Sequence, residues 1–238
     1  MRSTWCTRSS SYAAMTATAI VRRALEGSGI ELVGSCGIEA YDARAPAELR
    51  SPAWVPNARG LIVAASAGPQ LWRAFRARLE AKPELLGSRH PYDAFVAELL
   101  GRADAALHRE GVRFHRFDAG LEAPVRVDFL AMARLVGLGS PGPFALLIHP
   151  RHGAWWALRG AWIVDAEVEP PAEERRLCDG CPAPCVGGWE NAGGIPRATA
   201  EVRSRCVIGQ DSRYDEDQIG YHYDRAATLA RMLQKRAI

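Results

Sequence analysis

The stretch from Gly137 to Gly160, GLGSPGPFALLIHPRHGAWWALRG, decides how the rest of the chain is read. A glycine-rich turn leads into the short apolar run Phe144-Ala145-Leu146-Leu147-Ile148. Bounded by turn signals, that run reads as a buried strand. The compact corner His149-Pro150-Arg151-His152-Gly153 follows, and Ala154 to Val164 reads as the returning strand. The expectation is a hairpin whose corner carries His149, Arg151 and His152. Gly137, Gly139 and Gly142 stand before the first strand, where the backbone needs unusual dihedrals or must admit a close neighbour. A large planar ligand over the hairpin would explain these glycines together with Trp155 and Trp156. Because side chains alternate along a strand, one of the two tryptophans should enter the core and the other face away from it.

Outward from this stretch, the chain reads as mixed helix and strand. Thr16 to Glu26 has an amphipathic pattern and is stopped by Gly27-Ser28-Gly29. Ile30 to Val33 is a strand, and Gly60 to Ala65 is an apolar and therefore central one. Pro69 to Leu79 places Leu71, Phe75 and Leu79 on one helical stripe. His90-Pro91-Tyr92-Asp93 opens the longest central helix, running to Glu110 with Phe95, Leu99, Leu100, Ala103 and Leu107 inward and Gly111 as its cap. Val112 to Phe117 alternates as a half-buried strand, and Val127 to Val136 is a short helix. Asp215 is placed to cap a last helix to Arg236, with Ile219, Tyr223, Ala226, Ala230 and Leu233 inward. This order, with hairpin-type pairing around the central stretch, is α+β.

The totals set outer limits. A chain of 238 residues that is 48% hydrophobic can bury a sizeable core. The net charge of +3 is small, and its arginines are spread without a basic block, which argues against nucleic acid as a partner. No run reaches the roughly 18 apolar residues of a membrane helix. The Ser/Thr-rich start, MRSTWCTRSSSYAAMTATA, lacks the apolar core of a secretory signal, so the expected location is cytoplasmic. Residues 1–15 read as a disordered leader or an extended start before Met15, or as a mimic of an organelle transit peptide. There is no phosphate-loop, dinucleotide-binding, Gly-x-Ser-x-Gly or His-Glu-x-x-His motif.

Six cysteines are present. Cys6 and Cys36 are isolated and read as buried or incidental thiols. Cys178, Cys181, Cys185 and Cys206 form C-x2-C-x3-C with a fourth member twenty-one residues on. Four soft thiolates in this pattern suit one tetrahedral zinc or one [4Fe–4S] cluster, and unligated thiols are the third reading.

Ile148-His149-Pro150-Arg151-His152-Gly153-Ala154-Trp155, followed by Arg159-Gly160, resembles the core motif of the vitamin B12 processing family of the methylmalonic aciduria and homocystinuria type C protein. The likeness recurs in the Pro91–Asp93 helix opening and in Arg213-Tyr214 with Gln218. Epoxyqueuosine reductases share a looser form: Gly-Leu-Gly, Leu-Leu, His-Pro and Gly-x-Trp. The resemblance implies a nitroreductase-like, mostly antiparallel sheet with flanking helices plus a small Cys-containing C-terminal segment. In residue terms this is a leader over 1–15, a corrinoid-binding core over 16–168, a Cys-rich segment over 169–212 and a C-terminal helix over 213–238.

It further implies cobalamin as the bound small molecule, with Gly139, Gly142, Pro143, Phe144, Ala145, His149, Trp156, Ala157 and Leu158 around it. His149 would be the catalytic residue at the corrinoid face rather than a direct cobalt ligand, while His152 stands where the family has an aromatic or apolar residue. The chemistry implied is decyanation or dealkylation of the upper axial ligand. Epoxyqueuosine reductases and their ferredoxin-like relatives carry cluster cysteines just after this motif, which favours a cluster at the four cysteines. The family protein itself has none there, and four cysteines hold at most one cluster. A thiol such as glutathione, a flavin or an electron-donor protein would supply electrons, and the state would be monomer or homodimer. Arg159 and Arg213 could bind an anionic partner, although salt bridges are the expected use. The alternatives are a non-catalytic corrinoid carrier, a zinc-stabilised binding module and a flavin-linked reductase.

Overall fold

The computed structural model describes residues 15–120, 125–143, 146–186 and 195–234. A four-stranded, wholly antiparallel sheet runs in the order β1 (Leu32–Gly37), β2 (Gly60–Ala67), β6 (Trp156–Val164), β3 (Phe114–Asp118). On β2 every residue but the last is buried, because both of its faces are covered. Ile62 and Ala64 point to one face, where they meet α1 (Ala17–Leu25), α3 (Gln70–Ala81) and α4 (Pro91–Arg109). Leu61, Val63 and Ala65 point to the other, under α2 (Ile38–Asp42) and α5 (Phe129–Leu135). The fold is therefore the expected α+β one.

Local chemistry explains the boundaries. Thr16 caps α1 by accepting from the Ala19 N–H at 3.2 Å. The predicted inner face of α4 is buried as expected, with Leu100 wholly enclosed. Gly160 of β6 lets that helix settle, since a Cβ there would stand 2.9 Å from Leu100 Cδ1. The segment after β6 returns along the β1 side. There Ser35 Oγ donates to the Glu169 carbonyl, and the Glu169 N–H donates to Thr18 Oγ1.

Two expectations are corrected. Among the described residues, Leu147 and Ile148 do not pair with the returning strand, and the expected corner is closed by an isolated antiparallel bridge, His149–Gly153. β5 (Leu147–Ile148) pairs instead with β4 (Ser140–Pro141), while β6 is bordered by β2 along its length and by β3 from Gly160 to Val164. The terminal helix is also two helices, α7 (Glu216–Tyr223) and α8 (Arg225–Gln234), preceded by α6 (Ile195–Arg205). Asp215 caps α7 through the Gln218 N–H at 2.7 Å, as expected. Asp224 then leaves helical geometry and starts α8, accepting from the Ala227 N–H. The break shifts the phase, so Gln218, Tyr221 and Thr228 are the buried positions, and Ala226 and Ala230 are exposed. Among the described residues, no helix is long and apolar enough to cross a membrane.

Leu100→Ala removes a side chain held between α4 and the sheet, and the mutation is expected to cost about 2–5 kcal/mol. Urea unfolding of the variant should show a lower midpoint at unchanged slope.

Candidate functional site

The corner after β5 is closed by its own backbone. The His149 N–H donates to the Gly153 carbonyl at 2.8 Å and the Gly153 N–H returns to the His149 carbonyl at 2.9 Å. Inside this ring the His149 side chain turns back, and its Nδ1 accepts from the Arg151 N–H at 3.1 Å and the His152 N–H at 3.2 Å. The imidazole lies 4.8 Å from the His152 ring and 5.9 Å from Trp156. Burial, reinforced by His152 and Arg151, pushes the His149 pKa down to about 4, so the ring is neutral near pH 7. His152 is also shifted down, by burial and by Arg151, and its Nδ1 is 2.6 Å from Ser212 Oγ.

Gly153 has φ +56° and Gly209 has φ +77°, and the two interlock. A Cβ on Gly153 would stand 1.9 Å from the Ile208 carbonyl oxygen; one on Gly209 would stand 2.1 Å from the carbonyl carbon of His152. The turn from Cys206 to Gly209 is thereby seated on the corner. Directly beneath lies a small apolar cavity of about 40 Å³ bordered by Ile148, Ala154 and Val202 together with Cys178, Cys181, Cys185 and Cys206. All four thiols are half-buried and free. The Ala183 N–H donates to Cys181 Sγ at 3.4 Å. Burial, and then the neighbouring cysteines, hold the Cys178 thiol above its ordinary pKa. Cys185 is raised in the same way, burial first. Among the described residues, no three His, Cys, Asp or Glu side chains are arranged to hold a single metal ion.

Arg159 enters through a bulge. Ala64 pairs with Gly160 and Ala65 with Leu158, leaving Arg159 as the extra residue on β6. Its buried guanidinium donates to Ser66 Oγ at 2.8 Å and to the Tyr92 hydroxyl at 3.2 Å. It makes no ion pair among the described residues, so the expected salt bridge is absent here. By contrast, Arg213 lies 3.6 Å from Glu216 and over the Trp155 ring. Arg159 and Leu158 border a second cavity, of about 320 Å³, with Arg89, His90, Asp93 and Asp118.

The expected pocket residues are thus divided between places. Pro143 borders the thiol cavity, and Leu158 borders the cavity at Arg159. Ala157 is half-buried on β6, while Phe144 and Ala145 lie outside the described residues. Trp156 is 5% exposed and Trp155 1%, so neither is open. Trp156 Nε1 donates to the Leu147 carbonyl. The close neighbours of the glycines come from the chain itself. Trp156 Cζ2 would lie 2.9 Å from a Cβ on Gly139, and Ile148 Cγ1 2.7 Å from one on Gly142. Gly137 (φ +74°) faces Ala172. No planar ligand is needed to explain them. Ser66 and Ser212 carried no sequence signal, since a serine in an apolar strand or a loop looks incidental. Tyr92 stood within the recognised helix opening, but its tie to Arg159 depends on the bulge.

No family model matches the sequence, and no curated protein gives a significant match. The likeness is one of fold, an α+β arrangement shared with solved structures. The chain is similar to the C. elegans B12-trafficking protein CblC, a homologue of human MMACHC. The TM-score is 0.62 at 15% identity, over 90% of this chain and 94% of that one. It is also similar to epoxyqueuosine reductase from Bacillus subtilis, with a TM-score of 0.50 at 14% identity over 81% of this chain. It spans 54% of that enzyme's length.

Alanine at position 209 would have to adopt a left-handed backbone against His152, so Gly209→Ala is expected to lose about 1–3 kcal/mol from backbone strain alone. Thermal melts of the variant should show the loss. The depressed pKa of His149 sets a separate expectation. Above pH 6.5 the ring is neutral in both folded and unfolded chains; as pH falls towards about 4, only the unfolded ring gains a proton. Stability therefore falls across that window. Urea midpoints measured through the window should fall less steeply for His149→Asn than for the unchanged protein.

Proposed function

We propose that this protein binds a corrinoid as its substrate and assists reductive removal or transfer of the upper axial ligand. One [4Fe–4S] cluster on Cys178, Cys181, Cys185 and Cys206 would act as electron relay. The observation that carries the reading is the seating of the Cys206–Gly209 turn on the His149 corner through Gly153 and Gly209. It puts a four-thiol cavity directly against the corner that bears the B12-processing motif. The near full-length fold likeness to a protein described as B12-trafficking supports the same reading.

Four soft thiolates suit a cluster or a zinc, and the resemblance to cluster-bearing relatives favours the cluster. A single zinc needs its sulfurs within about 2.3 Å of one point. Here the thiols border a common cavity but form no single-ion site among the described residues. A cluster spreads four cysteines over four irons and supplies one-electron chemistry when bound. The protein's own part is to enclose the site in apolar side chains such as Ile148, Ala154 and Val202, and to donate the Ala183 N–H to a sulfur. Arg159, buried and with no ion pair among the described residues, is suited to an anionic co-substrate such as a thiol peptide entering the neighbouring cavity. Removal of cyanide would place one electron on cobalt and release the ligand with its bonding pair. Dealkylation would pass the alkyl carbon to a thiolate and leave the pair on cobalt.

The test is the visible spectrum of protein purified without oxygen, before and after cobalamin is added. Broad thiolate-to-iron absorption that dithionite bleaches, with iron lost in Cys181→Ser, is the expected result for the relay. A shift of the added cobalamin to its base-off spectrum is expected for the corrinoid site. Loss of cyanide or of the alkyl group separates catalysis from carriage. A colourless protein that leaves cobalamin unchanged overturns the reading. In parallel, Arg159→Gln is expected to weaken thiol co-substrate binding tenfold or more, since a hydrogen bond to a charged group is worth about 1.5–3 kcal/mol. Its cobalamin affinity should be unaltered.

A further inference from the structure

His149 has two ring nitrogens, and the fold has already used one. Nδ1 faces two backbone N–H groups, those of Arg151 and His152. Backbone amides only donate, so Nδ1 must present a lone pair and cannot carry the proton. A neutral imidazole has one N–H, and it must then sit on Nε2. That nitrogen makes no hydrogen bond among the described residues. The ring is held by more than these two bonds, because the reciprocal His149–Gly153 closure fixes the backbone and Trp156 and His152 flank the plane.

We infer that His149 is locked as the Nε2–H tautomer and serves the site as a hydrogen-bond donor to an acceptor atom on the bound ligand, not as a metal ligand. An Nε2 that bears a proton has no lone pair to give to cobalt. The partner it suits is a neutral or anionic acceptor. On a corrinoid, that is an amide oxygen of the ring periphery or the nitrogen of a cyano upper ligand. The low pKa of the ring agrees with this: near pH 7 it stays neutral, and the donor does not become a cation. The choice of ligand rests on the corrinoid reading above; the tautomer does not.

Long-range proton–nitrogen NMR of the full ¹⁵N-labelled chain at pH 7 decides the tautomer before any ligand is added. A pyridine-type Nδ1 and a pyrrole-type Nε2 are expected; the reverse assignment overturns the inference. With cobalamin added, Nε2 should keep its proton, and its loss on binding would mean coordination and would likewise overturn it. Two variants test the donor. His149→Asn keeps an oxygen where Nδ1 accepts the corner amides but removes the outer N–H. His149→Gln carries an amide out to the Nε2 position. The Asn form should bind cobalamin about tenfold or more weakly, and the Gln form should recover part of the loss. An equal loss for cyano- and methylcobalamin assigns the acceptor to the ring periphery, and a loss confined to cyanocobalamin assigns it to the upper ligand. No loss for either overturns the donor role. Failure of the unchanged protein to bind cobalamin overturns the corrinoid reading and with it the partner of the bond, while the NMR result still decides the tautomer.

Discussion

Backbone packed on backbone, with no side chain between, joins the two halves of this site. Gly153 lies under the Ile208 carbonyl, and Gly209 lies against His152. Any other residue at either position would drive the segments apart by the width of a methyl group and would also have to adopt a left-handed conformation. The consequences run in both directions. On one side, the Cys206 turn is held where its thiol meets those of Cys178, Cys181 and Cys185. On the other, the corner stays closed, which turns the His149 ring back onto its own amides. Ser212 then ties the start of the C-terminal region to His152. The chemistry of the thiols and the orientation of the histidine are both results of one close approach.

A second constraint is the pairing of β5 with β4. Leu147 and Ile148 are committed to Pro141 and Ser140, so they do not continue a ladder into β6. The chain therefore leaves β5 through a tight corner rather than a regular turn. This explains why a motif of His, Pro, Arg and Gly sits there: the corner must satisfy its amides locally, and the imidazole takes two of them. The bulge in β6 does comparable work. It turns Arg159 inward to Ser66 and Tyr92, while Gly160 beside it makes room for Leu100. Adjacent motif residues thus answer different needs, one electrostatic and one steric.

Periodicity revealed the layers because burial is what periodicity records. The stripe Leu71–Phe75–Leu79 and the inner face of α4 lie where their spacing placed them, and β2 is central because it is apolar on both faces. Pairing was not legible in the same way. Phe144–Ile148 is as apolar as a hairpin strand would be, and nothing in its composition says that Leu147 and Ile148 pair with Pro141 and Ser140 instead. The two C-terminal helices show the same limit. Asp224 can be read as an exposed helical residue or as a cap, and only its geometry separates the two. At the site, the histidine and the four cysteines were visible as residue types at unusual spacing. Ser66, Ser212 and Gly209 were not, because their roles arise from what the fold brings beside them.

The thiol cavity poses an electrostatic requirement that the protein alone does not meet. Burial, and then the neighbouring cysteines, raise the Cys178 and Cys185 thiols, which disfavours thiolate at these two positions. The cavity lining contains no lysine, arginine or histidine to offset thiolate charge. If the thiols remain protonated, the arrangement is a set of weak hydrogen-bonding groups among apolar side chains, and the Ala183 N–H contact to Cys181 gains little. If they ionise, the compensating positive charge must come from whatever occupies the cavity.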